Sequence, residues 1–185
     1  MNVELDLITA CLNKERRAES ELYKITYSYL MSICYRYVNS TEEAKEMLNI
    51  GFLKVLVNLD KYKPEVPFKF WIRRIMINTL IDEYRKKKAH DERIQYVENY
   101  IETADYSNLN PVLARMDAEQ ISSLIKKLPP TSQKVFNLFV VDGYSHKEIA
   151  GMLNMSEGTS KWHVNFSKEK LKEMILKIIP TYNRV

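Results

Sequence analysis

The sequence predicts an all-α protein of two small helical domains, residues 1–90 and 112–180, joined by a flexible acidic linker at 91–111. Three observations carry that prediction. Only four glycines and six prolines interrupt 185 residues rich in Leu, Ile, Lys and Glu, a composition suited to helices and not to sheets. Ser40 with Glu43, and Ser145 with Glu148, stand three apart ahead of apolar rows, the spacing at which two side chains cap a helix start reciprocally. From His90 to about Pro111 the helical period dissolves, over a stretch too long for an ordinary connection inside one domain.

Charge follows the same division. Residues 1–90 carry 16 basic and 12 acidic side chains, 91–120 carry 2 and 7, and 121–185 carry 10 and 5. Two basic blocks flanking an acidic one suit two nucleic-acid-facing domains joined by a segment that avoids phosphate. Cys11 and Cys34 lack metal-site or redox-motif spacing and read as free, packed thiols of a reducing cytoplasm. No apolar run reaches membrane-spanning length, and Glu4 and Asp6 stand where a signal peptide would be basic. The expectation is a cytoplasmic protein with no insertion into the membrane.

The first helical stretch covers residues 3–38, with Leu22, Ile25, Tyr29, Ile33 and Tyr37 as its apolar face. The Ser40 cap opens the next helix, with Ala44, Met47, Leu48, Val55, Leu56 and Leu59 inward and Glu46, Asn49, Ile50 and Lys54 on the outer face. Ile50 among polar neighbours reads either as a protein contact or as part of a wider buried stripe. Asp60 to Pro67 form a proline-stiffened loop carrying Lys61 and Lys63. In the helix after it, Phe70, Ile72, Ile75, Met76, Thr79 and Leu80 can face the core. Trp71, Arg74, Asn78, Asp82 and Arg85 share another face, and the helix ends in Arg85-Lys86-Lys87-Lys88. That basic end suits the negative pole of the helix whatever else it does. An aromatic with several cations beside a stiff loop also suits single-stranded DNA, where bases stack and phosphates need countercharge.

Tyr96, Tyr100 and Ile101 allow one short helix in the acidic stretch. Asn110-Pro111 starts a helix through Leu113, Met116, Ile121 and Leu124. Thr131 or Ser132 caps the next, which carries Val135, Phe136, Leu138 and Phe139 and stops at Asp142-Gly143. Ser145 and Ser156 then open two helices close together, with the small Ala150 at their crossing and Asn154, tolerant of the left-handed conformation, at the corner. This is a helix-turn-helix pattern. Its second helix offers Thr159, Lys161, Trp162, His163 and Asn165 to phosphates or base edges, with Ser156 and Lys168 at its margins.

Catalysis finds no support. His90, His146 and His163 lie far apart, and there is no HExxH, no P-loop and no glycine-rich turn after a strand. His146 reads as a helix-surface residue inside the Ser145 box. No catalytic residue, metal site or cofactor is expected.

Both halves together resemble the bacterial RNA polymerase sigma factors of the extracytoplasmic-function (ECF) type, over roughly residues 5–178. Leu128-Pro129, Gly143, Glu148-Ile149-Ala150, Leu153 and Ser156-Glu157-Gly158-Thr159 look like that family's region 4. Ala44, Phe52-Leu53-Lys54-Val55, Phe70, Trp71-Ile72, Asn78 and Arg85 look like its region 2. The resemblance implies that Glu46, Asn49, Ile50 and Lys54 face the clamp helices of the core polymerase largest subunit. It implies that Lys61, Lys63, Trp71, Arg74, Asn78, Arg85 and Lys86 lie along the promoter −10 element. Ser156, Thr159, Lys161, Trp162, His163, Asn165 and Lys168 would serve the −35 element, with region 4 seated on the flap of the second large subunit. An anti-sigma factor or other recruiting protein is a further implied partner.

The chain departs from the family pattern at several places. Glu46, Asn49 and Ile50 stand where the family usually has an Asp-x-x-Gln-Glu string. Ser160 replaces a common valine, and His163, Phe166 and Lys168 stand where arginines are frequent. Fewer guanidiniums mean fewer bidentate contacts to guanine and phosphate, hence a weaker −35 readout. The competing expectation is a helix-turn-helix regulator acting outside the polymerase; the cationic, aromatic face of the N-terminal half argues against it.

Overall fold

The computed structural model describes residues 3–90 and 117–182. Among them are eight α-helices and no strand. The chain divides into two compact units, Met1–Asp91 and Glu92–Val185. The expected linker at 91–111, its short helix near Tyr96, and the helix start at Asn110-Pro111 lie outside the described residues.

In the first unit the expected run over 3–38 is two helices, α1 (Leu5–Leu12) and α2 (Arg16–Tyr37). Lys14 breaks them with a φ of 60°. After them come α3 (Thr41–Val57), a single 3-10 turn (Leu59–Lys61) and α4 (Phe68–His90). Ser40 caps α3 by accepting from the Glu43 amide. Helices α2, α3 and α4 pack on one another. The inward row of α2 is Leu22, Thr26, Leu30, Cys34 and Tyr37, whereas Ile25 is exposed. Thr26 can be buried because its hydroxyl donates to the Leu22 carbonyl at 2.8 Å. Facing it are Ala44, Leu48 and Val55 of α3 and Ile72, Met76 and Ile77 of α4. Gly51 lets α3 and α4 approach, since a Cβ there would collide with the Met76 thioether. Phe70 is 47% exposed. It sits two residues from both Phe68 and Ile72, which take the core positions, so it points away from them. Cys11 and Cys34 are free and buried; burial pushes their thiols up to about 11 and about 12.

In the second unit α5 (Ala118–Lys126) begins with a complete capping box between Asp117 and Gln120. Next is α6 (Pro130–Phe136), which runs into one π-helical turn, Asn137–Val141. The expected cap by Thr131 or Ser132 is not used: Pro129 holds the cap position, and Pro130 enters the first turn, where no amide is needed. Thr131 and Ser132 are buried instead. Gly143 takes a φ of +78° at the turn into α7 (His146–Leu153). The last helix is α8 (Glu157–Tyr182). It packs against α6 and α7 over a core of Leu124, Leu128, Val135, Leu138, Ile149, Leu153 and Val164.

Candidate nucleic-acid and protein interfaces

The corner between α7 and α8 is built by three local devices. The Ser145 hydroxyl accepts from the Glu148 amide, while the Ser145 amide donates to the Glu148 carboxylate at 2.8 Å. Asn154 takes φ 51° and ψ 54°, turning the chain in the left-handed region. Ser156 accepts from the Thr159 amide at 2.9 Å and starts α8.

On α8, Ser160, His163, Val164 and Ser167 recur at three- and four-residue spacing and form its inward row. This corrects the placement of His163 on the DNA-facing side: it is 7% exposed, and its Nδ1 lies 2.9 Å from the Ser132 hydroxyl of α6. The Ser167 hydroxyl donates to the His163 carbonyl at 2.7 Å, so a polar column is satisfied inside the unit. Ser160 is fully buried, its hydroxyl 2.9 Å from Nδ1 of His146. His146 is therefore half-buried and not a surface residue, its ring stacked on Phe139 at 4.3 Å. Burial lowers its pKa below 6.5; Lys161 and Lys168 lower it further, and Glu157 opposes them.

With His163 inside, Lys161, Asn165 and Lys168 are exposed on α8, and Thr159 and Trp162 are half-buried at its side. Ser156 is exposed at the helix start. The Trp162 ring lies nearly parallel to Phe166, 5.1 Å away and tilted by 17°, and edge-on to His163.

On α4, Arg74, Asn78, Arg85 and Lys86 are exposed, as are Lys61 and Lys63 before it. Trp71 is half-buried, 5.3 Å from the Tyr62 ring and 5.6 Å from Phe68. The Tyr62 hydroxyl donates to the Val66 carbonyl at 3.0 Å and folds the proline loop over this aromatic corner. Carboxylates accompany the cations. Asp82 lies 3.7 Å from Arg85 and 3.9 Å from Lys54, Glu83 2.6 Å from Lys86, and Glu43 2.6 Å from Lys87. The hydrogen bonds that Lys86 and Lys87 donate to Glu83 and Glu43 raise the pKa values of both lysines. Surface pairs of this kind are individually weak, and phosphate can replace their acids.

On α3, Glu46 and Asn49 are exposed, and Ile50 and Lys54 are half-buried. Ile50 thus falls between its two expected placements. The Tyr23 hydroxyl donates to the Asn49 side-chain oxygen at 2.9 Å. The same face carries two further residues outside the expected set, Leu53 at 61% and Val57 at 70% exposed. Their spacing from Glu46 and Ile50 was the available signal, hidden because an apolar residue in a helix reads as core. Among the described residues no group of His, Cys, Asp and Glu could hold a metal ion, and no helix is long and apolar enough to cross a membrane.

Residues 22–90 match the family model of sigma-70 region 2, and residues 118–171 that of sigma-70 region 4. The chain is 31% identical over 138 residues to the RNA polymerase sigma factor SigZ of Bacillus subtilis, covering 75% of this chain and 76% of that protein. It is 26% identical over 169 residues to the ECF RNA polymerase sigma factor SigW of the same organism, covering 87% and 90%. Among solved structures, its fold is similar to the sigma factor RpoE of Bartonella quintana, crystallised with the anti-sigma factor NepR. There the TM-score is 0.51 at 17% identity, covering 86% of this chain and 96% of that one.

Proposed function

The chain belongs to the ECF sigma factors of the sigma-70 family and serves transcription initiation; from that premise we propose how its two units divide the work. In the N-terminal unit, the outer face of α3 docks on the clamp helices of core RNA polymerase through Leu53 and Val57, ringed by Glu46, Asn49, Ile50 and Lys54. The loop with Lys61 and Lys63 and the α4 face of Trp71, Arg74, Asn78, Arg85 and Lys86 take the separated strand of the −10 element. In the C-terminal unit, α8 enters the −35 major groove with Lys161, Trp162 and Asn165. Ser156 and Thr159 cap that helix, Lys168 lies toward phosphate, and the unit rests on the flap of the polymerase.

The observation that carries this reading is the exposed apolar pair on α3, 61% and 70% exposed, set within a polar ring on the same helix face. Apolar side chains so exposed on a packed helix suit a partner that removes them from water. A DNA-binding regulator acting alone has no need of that face. In this reading the protein works in the cytoplasm, the polymerase supplies the chemistry, and an inhibitory anti-sigma protein covers the same surfaces when transcription is off. The acids beside the α4 cations support such silence in the free factor, because Asp82 and Glu83 of α4 and Glu43 of α3 already pair with Arg85, Lys86 and Lys87.

The test is co-elution of the purified chain with core RNA polymerase from a sizing column, followed by run-off transcription on a promoter library. Co-elution with discrete transcripts is expected. Direct duplex binding without co-elution would instead identify a regulator working outside the polymerase.

A further inference from the structure

From the α8 surface we infer that this factor reads its upstream element through thymine methyl groups and adenine edges in place of guanine. The inference rests on α8 entering the major groove, as proposed above, and names what it reads there.

Guanine presents two acceptors in that groove, which a forked guanidinium matches; thymine presents a methyl group, which an apolar surface matches; adenine presents the donor and acceptor that an asparagine amide matches. Between Glu157 and Lys168 there is no arginine. Of the two residues ahead of Lys168 in that stretch that can carry a positive charge, His163 is buried against Ser132. Lys161 remains as a point charge without a fork. In place of donors, α8 presents the Trp162–Phe166 stack, one turn apart and nearly parallel at 5.1 Å. The stack is held in place because Trp162 also meets the edge of the fixed His163 ring. An aromatic surface already fixed before binding loses little side-chain freedom on contact with DNA. Asn165 is exposed on the adjoining turn, and Lys161 and Lys168 lie beyond it as countercharge for phosphate. Thr159 is committed to the helix start, its hydroxyl 2.8 Å from that of Ser156. The surface is therefore apolar along one side, cationic along the other and amide-bearing between them, which fits an A·T-rich duplex.

The experiment uses the full chain assembled with core RNA polymerase and a duplex library randomised upstream of the −10 region. Bound sequences are selected, and each thymine of the upstream block is then replaced by deoxyuridine, which removes only the methyl group. The expected result is an A·T-rich upstream block and an affinity loss of about fourfold per contacted thymine, the worth of one buried methyl group. That loss should vanish in Trp162→Ala and Phe166→Ala, while Phe166→Arg should shift selection toward guanine. An upstream block that is protected but guanine-led, or indifferent to deoxyuridine in the native chain, overturns the inference and leaves the docking of α8 standing. Absence of any upstream protection by the assembled polymerase overturns the docking of α8 as well. The deoxyuridine comparison is made on the native chain, so it does not depend on any variant folding.

Discussion

His163 and Ser160 carry polar atoms into the interior of the C-terminal unit, and what they do there is tie helices together. His163 reaches Ser132, Ser160 reaches His146, and Ser167 returns to the His163 carbonyl. Replacing His163 by Ala deprives a buried hydroxyl of this partner, at a cost of ~1–3 kcal/mol before any cavity is counted. Restoring the arginine frequent in the family, His163→Arg, should be worse, at least ~3 kcal/mol, because it buries a charge. Urea unfolding followed by Trp162 fluorescence in a Trp71→Phe background checks both. If His163→Arg were as stable as the native chain, the ring could not be buried as described. His146 gives a pH prediction. Its folded pKa lies below the unfolded 6.5, so on acidification the unfolded chain takes the proton first. The stability it contributes is complete above about pH 6.5 and is lost as pH falls through the lower folded value. The unfolding midpoint read by Trp162 should drop as pH falls below about 6.5, and His146→Gln should shrink that drop.

At the scale of elements, the α7–α8 corner depends on its caps and on one left-handed residue. Ser145→Ala should cost about 1 kcal/mol, the usual worth of a side-chain cap. Asn154→Gly should change stability by no more than a few tenths of a kcal/mol, since glycine takes φ 51° freely. Asn154→Val should cost ~1–2 kcal/mol, because a branched side chain resists that conformation. The same fluorescence titration separates these three outcomes. Equal costs for the glycine and valine variants would show that the corner is not held by its backbone conformation. In the N-terminal unit the corresponding device is Gly51, whose missing Cβ admits the Met76 thioether between α3 and α4. It keeps the two helices carrying the proposed polymerase and DNA faces in direct contact.

At the scale of the whole molecule, two faces of the N-terminal unit carry the proposed division of labour. Leu53→Glu places a charge in the exposed apolar pair of α3. It should reduce co-elution with core RNA polymerase by at least about tenfold in affinity, because a charge buried without a partner is strongly unfavourable in an interface. Its thermal unfolding should be unchanged, since Leu53 is 61% exposed. Arg74→Ala with Arg85→Ala should leave co-elution intact and lower promoter opening, and the salt dependence of DNA binding should flatten as two phosphate contacts are lost. A loss of both properties in either variant would mean that the two faces are not separate.

The sequence by itself determined most of the helices, though not the break at Lys14 or the Pro129 cap, together with the capped starts at Ser40, Ser145 and Ser156, the left-handed corner at Asn154 and the family. Each of these depends on residues within a few positions of one another. Period, caps and backbone preference are local physics and stay visible in a string of letters. Tertiary structure alone decided which way amphiphilic side chains turn. Serine, threonine and histidine read as surface until a partner on another helix satisfies them, as Ser132 does for His163. Leucine and valine likewise read as core until packing leaves them without neighbours, as Leu53 and Val57 are left on α3. The cost of burying a polar atom or exposing an apolar one depends on what lies across the gap. Residues far apart in the chain supply that information, and only the fold brings them together.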